Sequence, residues 1–349
     1  MLRYFPFTAI VEQERLKRAL LLNAVNPAVG GVLVKGPSGT GKSTAVRGLA
    51  ELLPEIEVVA DCPFSCDPAR PACESCRARP RPELPVVRRR RRIVELPLNA
   101  TEDRVAGSVD IARALKEGVR ALEPGLLAES NRGILYVDEI NLLDDHLTDI
   151  LLDAAALGVN VVEREGVSIS HPARFLLVGT MNEDEGELRP QIADRIGLQV
   201  EVDAVYDAAA RAEIMRRREA FTADPEGTAA TYGDAQAALA AEVAHAEKLL
   251  AEVRLPDRLY AAVAQLVVRA GVSSHRADVT IVESAKALAA LAGRLEVTAD
   301  DVLAAADLAL GHRLPVDPFA PPARLESQLL RRLLDEALEV EPAAKKAVS

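Results

Sequence analysis

The chain has 349 residues, 49% hydrophobic and 27% charged, enough apolar material for one or two packed globular domains. Forty-two basic against 53 acidic residues leave a net charge of −11, and aromatics are only 3% with no Trp; the two argue against a surface for nucleic-acid phosphate backbones or stacked bases, so no nucleic-acid partner is expected. No apolar run reaches the roughly 18 residues of a membrane span, and Met1 to Pro6 lacks a signal core, so no membrane partner and a cytoplasmic location are expected.

Gly31 to Lys35 predicts a short buried strand running into a Gly-rich loop. Ser43 to Leu53 predicts a helix, with Ala45, Val46, Leu49 and Leu52 at helical spacing. Asp61 to Arg92 is rich in Pro, Arg and Cys without periodicity and reads as a long inserted loop. Ile134 to Val137 and Phe175 to Gly179 predict two more buried strands, and Val159 to Ser170 a hairpin turning at Glu165-Gly166. Continuous apolar strands alternating with helices imply an α/β three-layer sandwich around a parallel sheet. From about Asp203 the pattern is helical and Ala/Leu-rich, clearest over Ile281 to Leu291, Val302 to Leu310 and Leu325 to Leu338. The expected organisation is an α/β domain over 1–205 with an insertion at 61–92, a helical domain over 206–340, and a frayed tail over 341–349.

Gly36-Pro37-Ser38-Gly39-Thr40-Gly41-Lys42-Ser43 fits the phosphate-binding pattern G-x-x-x-x-G-K-[ST], with a strand before it and a helix after. The glycines let backbone N–H groups approach phosphates, and the helix N-terminus adds partial positive charge there. Lys42 can neutralise β/γ-phosphate charge and the Ser43 hydroxyl can ligate Mg²⁺; the expected ATP-binding set runs from Gly36 through Thr44. The strand Ile134 to Val137 ends in Asp138-Glu139, where Asp138 would hold the Mg²⁺ shell and Glu139 would orient the attacking water. Solvated strand-end acids are the plainer alternative. Asn182, just past the third strand, sits where open α/β sheets bind ligands, or is simply a turn Asn. Arg195 could stabilise transition-state charge in a neighbouring subunit, although an isolated Arg in a charged helix is more often a solvated residue.

Phe5 to Val11, Leu96-Pro97-Leu98 with Thr101-Glu102-Asp103-Arg104, Glu123 to Ala128, Tyr136 to Leu143, Pro172 to Phe175 and Glu185 to Gln191, taken in this order, resemble the small ATPase subunit of magnesium chelatase, within the AAA+ group that also holds the cobaltochelatase ATPase. The match runs from about Phe5 to Pro318. The resemblance implies an ATPase that couples hydrolysis to Mg²⁺ insertion into protoporphyrin IX, a nitrogen–metal ligase step in chlorophyll or bacteriochlorophyll biosynthesis. It implies a ring, a hexamer by the resemblance, a second AAA+ subunit with an integrin-like domain, and a large porphyrin-binding catalytic subunit; the integrin-like part is not expected in this chain. Arg195 matches the family's trans-acting arginine finger and Arg276 its second sensor arginine, while 96–127 matches its helix insertion, 159–170 its hairpin, and Phe7 to Val11 an adenine-contacting segment. The chain departs from the family where Glu12 replaces the usual Gly, Glu183 the usual Pro, and Leu314 to Pro318 lacks the usual Arg pair before Asp-Pro. Metal choice and partner choice therefore stay open between a magnesium chelatase, a cobaltochelatase and a MoxR-like remodeller of a metalloprotein. A nucleotide-gated assembly subunit that barely hydrolyses ATP is the alternative of another class, and the intact Lys42, Asp138, Glu139, Asn182 and Arg195 set argues against it.

Cys62, Cys66, Cys73 and Cys76 lie within fifteen residues and offer four thiolates, enough for a closed tetrahedral Zn²⁺ site. An iron–sulfur cluster and free thiols in a mobile loop are the alternatives. Arg88 to Arg92 is a run of five arginines, read as a solvated loop or a contact for an acidic partner rather than a nucleic-acid patch. His146, His171 and His312 are read as ordinary surface or core histidines.

Overall fold

The computed structural model describes residues 4–109, 122–164, 167–186, 188–314 and 327–339. The turn at 165–166, part of the expected helix insertion (110–121), the segment 315–318 and the tail 341–349 lie outside the described residues.

With strands numbered along the chain, β1 (Val32–Lys35), β4 (Ile93–Leu96), β7 (Ile134–Val137), β10 (Leu176–Met181) and β11 (Leu198–Glu201) form one sheet, ordered β11-β1-β10-β7-β4 and parallel throughout. Side-chain alternation divides this sheet between two cores. Val32, Val34, Ile134, Tyr136, Val178 and Val200 pack on one face, with α1 (Glu14–Val25) and α2 (Lys42–Leu52). Leu33, Leu135, Val137 and Leu177 pack on the other, with Leu126, Leu127 and the helix α6 (Asp145–Leu157). Burial on both faces explains why these strands read as unbroken apolar runs. The third strand lies slightly later than its sequence pattern indicates, because Thr180 and Met181 still pair with β1.

The C-terminal part is helical: α8 (Ala208–Ala223), α9 (Pro225–Thr231), α10 (Gly233–Leu249), α11 (Asp257–Arg269), α12 (His275–Leu291), α13 (Ala299–Ala309) and α14 (Ser327–Glu339). Here α10 packs back on α1 and α2, while α11 to α14 pack on one another. Among the described residues no helix is long and apolar enough to cross a membrane.

The 61–92 segment, expected as a long inserted loop, carries short regular elements within it. β2 (Ile56–Val59) pairs antiparallel with β3 (Val86–Arg89), so Arg88 and Arg89 belong to a strand, and the short helix α3 (Glu74–Arg77) lies between. The arginine run is not a free basic stretch: Arg90 pairs with Glu51 at 3.2 Å and Arg91 with Glu247 at 2.6 Å. Acids on α2 and α10 thus pair with two of the five arginines, which sequence-local charge counting cannot reveal. Between 97 and 133 lie α4 (Glu102–Ala106), β5 (Gly107–Val109), β6 (Leu122–Pro124) and α5 (Leu126–Glu129). The hairpin comprises β8 (Val159–Arg164) and β9 (Val167–Pro172), with Val161 opposite Ser170. The short α7 (Pro190–Ala193) precedes β11.

Candidate nucleotide site

The register of the sheet brings the expected site residues to one edge. Lys35 is level with Met181, and Gly179 with Val137, so the chain leaves β1, β10 and β7 side by side at Gly36, Asn182 and Asp138. Gly36 N–H donates to Met181 O at 3.1 Å, tying the start of the Gly-rich loop to the strand end that leads into Asn182. A side chain at Gly36 would collide with the Val202 carbonyl at 2.2 Å. Gly39 and Gly41 have φ of 81° and 86° and open space where a Cβ would stand, which leaves backbone N–H groups accessible at the N-terminus of α2. That concavity fits a phosphate chain.

Lys42 turns its ammonium onto the loop carbonyls, donating to Gly36 O and, at 3.0 Å, to Pro37 O. Burial lowers its pKa below the usual lysine value, and Asp138, Glu185 and Glu139 pull it back up. Carbonyl contacts of this kind are readily exchanged for phosphate oxygens.

Asp138 is held by two hydroxyl groups that pattern reading overlooked. Tyr136 OH donates to Asp138 Oδ1 at 2.9 Å, and Thr180 Oγ1 donates to the same oxygen. Burial raises the Tyr136 pKa, so this hydroxyl stays a proton donor. Thr180 Oγ1 also accepts from Glu139 N–H at 3.2 Å, so one threonine orients both acids from the neighbouring strand. Its only sequence signal is its place two residues before Asn182. Glu139 occupies the left-handed region at φ 54°, a conformation that costs a non-glycine residue about 1 kcal/mol or more and concentrates at functional sites. Glu185 repels the Glu139 carboxylate and raises its pKa, with partial burial and Asp138 adding to the effect. Asn182 Oδ1 accepts from Asp184 N–H at 3.4 Å.

A cavity of about 570 Å³ adjoins the Gly-rich loop, lined by Phe5, Ile10, Val11, Gly39, Thr44 and Met215 among others. Phe7, expected to contact adenine, is buried in the core instead, and its neighbours Ala9 to Val11 reach the cavity. Arg211, Arg217 and Arg218 of α8 also line it. Arg217 Nη1 donates to Ala9 O at 3.0 Å and fixes the turn there. This contact spans 208 positions, so no local pattern announced it.

Arg195 and Arg276 are absent from the cavity wall. Arg195 sits between α7 and β11, with Nη1 on Asp149 at 2.8 Å and Nη2 on Asp153 at 2.9 Å, one turn apart on α6. Arg276, at the start of α12, pairs with Asp194 at 3.2 Å. Asp194 also accepts from Ser274 Oγ at 2.9 Å and from Arg313 Nε at 3.1 Å.

A Gly-rich loop after a central parallel strand, faced by an acidic pair one strand removed and followed by a helical domain, defines a P-loop ATPase of the AAA+ class. Residues 260–333 match the family described as AAA lid domain, and residues 108–191 the family described as Magnesium chelatase, subunit ChlI. A ChlI homolog of Methanocaldococcus jannaschii is 52% identical over 333 residues, covering 95% of this chain and 91% of that protein. The magnesium-chelatase subunit ChlI of Nostoc is 51% identical over 319 residues, covering 90% and 85%. A structure describing the complex between subunits BchI and BchD of magnesium chelatase matches with a TM-score of 0.54 and 45% identity, covering 96% of this chain and 99% of that one. A putative ATPase of Cytophaga hutchinsonii, 17% identical with a TM-score of 0.60, shares the fold. The chain belongs to the magnesium chelatase subunit ChlI family.

Proposed function

We propose that this chain is the ATP-hydrolysing motor subunit of a magnesium chelatase, driving Mg²⁺ insertion into protoporphyrin IX held on a separate large subunit. The observation that carries this reading is the alignment of Gly36, Asp138 and Asn182 at one sheet edge beside an open phosphate cradle. Bound Mg·ATP supplies the phosphoanhydride to be cleaved and the cation that offsets its charge. The backbone N–H groups from Gly39 to Lys42 hold the phosphates, and the Lys42 ammonium leaves its carbonyl partners to bind them. Ser43 and the free oxygen of Asp138 would hold the cation. Glu139 orients the attacking water and Asn182 fixes it from the next strand. Arg195 and Arg276 serve the site of the next protomer in a ring, as their match to the family's arginine finger and second sensor arginine implies. A second AAA+ subunit is the proposed partner, in line with the BchI–BchD complex of the structural neighbour.

The test is subunit mixing. Lys42→Ala and Arg195→Ala chains, each expected to hydrolyse ATP negligibly, are mixed in equal amounts. A heterologous ring interface restores about a quarter of the sites, because one site can draw intact Lys42 and Arg195 from different chains. No recovery in assembled mixed rings refutes the shared site. Reconstitution with candidate large subunits, scoring Mg²⁺ against Co²⁺ insertion, separates the magnesium from the cobalt reading.

A further inference from the structure

We propose that Cys62, Cys66, Cys73 and Cys76 hold one zinc-class divalent cation in a closed four-thiolate centre that folds the insertion around it and clips it to the β8–β9 hairpin. The four Sγ atoms all lie within 4.8 Å of one another, and three of the four cysteines are buried. A tetrahedral Zn²⁺ with Zn–S bonds near 2.3 Å requires sulfur–sulfur edges of about 3.8 Å. Cys62 Sγ and Cys73 Sγ are 3.8 Å apart. A disulfide needs about 2.05 Å, and an iron–sulfur cluster interposes a cage of iron and sulfide that spreads its thiolates more widely.

The surroundings fit a metal centre. Cys73 N–H points at Cys66 Sγ at 3.3 Å and Cys76 N–H at Cys73 Sγ at 3.4 Å, contacts that stabilise thiolate charge. Cys73 caps α3, so the Cys-x₂-Cys half is set by one helical turn. Four thiolates and a divalent cation carry a net −2, and guanidinium charge lies beside the cluster, with Arg132 Nη1 donating to Ser65 O at 3.3 Å. Arg89 also reaches Ser65 Oγ, beside the cluster.

The insertion needs such a centre. Apart from the cysteines, its own core amounts to Val59 and Leu84 with Phe64 and Ala72 partly buried, far too little to order some thirty residues. Once ordered, it docks by specific contacts. Phe64 stacks on His171 of β9 with ring centroids 5.1 Å apart, Asn131 Nδ2 donates to Phe64 O at 2.6 Å, and Arg132 Nη1 donates to Glu57 O at 2.7 Å. The four sulfurs fill the coordination shell, which makes this a structural site with no open position for catalysis.

The test uses the full chain, purified reduced from zinc-replete cells. Elemental analysis is expected to give one zinc per chain, and Co²⁺ exchanged into wild type is expected to show the visible bands of a tetrahedral four-thiolate complex. Cys73→Ser with Cys76→Ser is expected to bind no metal and to be cut by trypsin after Arg77, at the Arg77–Ala78 bond, about tenfold faster or more. ATP hydrolysis by that variant is expected to stay within about twofold of wild type, because the local order lost lies outside the nucleotide site. Wild-type protein that binds neither Zn²⁺ nor Co²⁺ after reduction, that carries cysteine disulfides by mass, or that holds iron and inorganic sulfide overturns the proposal. The Co²⁺ titration of wild type decides the matter even if the double variant fails to fold.

Discussion

Asp194→Asn should loosen the joint between the sheet domain and the lid. The Arg313 side chain is 1% exposed and uses every N–H: Nε on Asp194 Oδ1 at 3.1 Å, Nη1 on the carbonyls of Gly197 and Ala309, Nη2 on those of Asp194 and Ile196. Asn keeps a hydrogen-bond acceptor but removes the only carboxylate facing that cation in this set of contacts. Stranding a buried charge costs about 3–5 kcal/mol. Four carbonyls remain, and the Asp194 side chain is 28% exposed, so the loss sits at the low end, about 2–3 kcal/mol. For this size of domain that lowers Tm by roughly 5–10 °C. Burial alone would raise the Asp194 pKa, but hydrogen bonds from Ser274 and Arg313 outweigh it and hold the carboxyl below its ordinary value of 3.8. A depressed carboxylate contributes stability above its unfolded pKa and loses it as pH falls through the folded one. The gap between wild type and variant should therefore be full at pH 7 and close below about pH 4. Calorimetry at fixed protein concentration reads both. A Tm difference under about 1 °C at pH 7, or a gap that widens in acid, refutes the reasoning.

Lys42→Ala should abolish nucleotide binding and hydrolysis together, whereas Glu139→Gln should retain binding and lose hydrolysis, a split that nucleotide titration and phosphate release distinguish. Thr180→Val removes the hydroxyl that orients Asp138 and the Glu139 backbone, and should lower kcat about tenfold or more while leaving ADP affinity nearly intact. Glu185→Gln removes the principal repulsion on Glu139, so the acid limb of the ATPase pH profile should move to lower pH. Glu12 has φ 53°, so Glu12→Gly should relieve left-handed strain and raise stability by about 1 kcal/mol in denaturant titration.

What the sequence displayed was what is contiguous along it. The phosphate loop occupies eight neighbouring residues, and Asp138-Glu139 ends an unbroken apolar strand, so loop, sheet class and acidic pair were all readable. The clasp on Asp138 was not, because Thr180 reaches it only through the β7–β10 register, 42 positions away in sequence. Arg313 was missed for the same reason at 119 positions. The insertion was read as irregular because periodicity registers hydrophobic faces, and its order depends on four sulfurs and a four-residue strand pair. Glu12 was noted only as a departure from the family resemblance; its positive φ is a conformation that glycine adopts without strain.

The residue before Arg195 carries the more general consequence. Asp194 belongs to the sheet domain by its backbone, yet its carboxylate bonds Ser274, Arg276 and Arg313 of the lid. Of the two arginines proposed to reach a neighbour's nucleotide, Arg276 pairs with the Asp194 carboxylate, and Arg195 is the next residue along the backbone, its side chain on Asp149 and Asp153. Arg195 adds exposed pairs to Asp149 and Asp153, which are individually weak and readily exchanged for a phosphate. The buried Asp194–Arg313 pair is the strong element and the Arg195 pairs are the labile ones. In the proposed ring, a movement of the 194–195 backbone toward an adjoining site would pull on the lid of its own protomer through the Asp194 carboxylate. In such a ring that linkage would connect hydrolysis at one site to lid position at the next, and Asp194→Asn should weaken coupling between sites more than binding at any one of them.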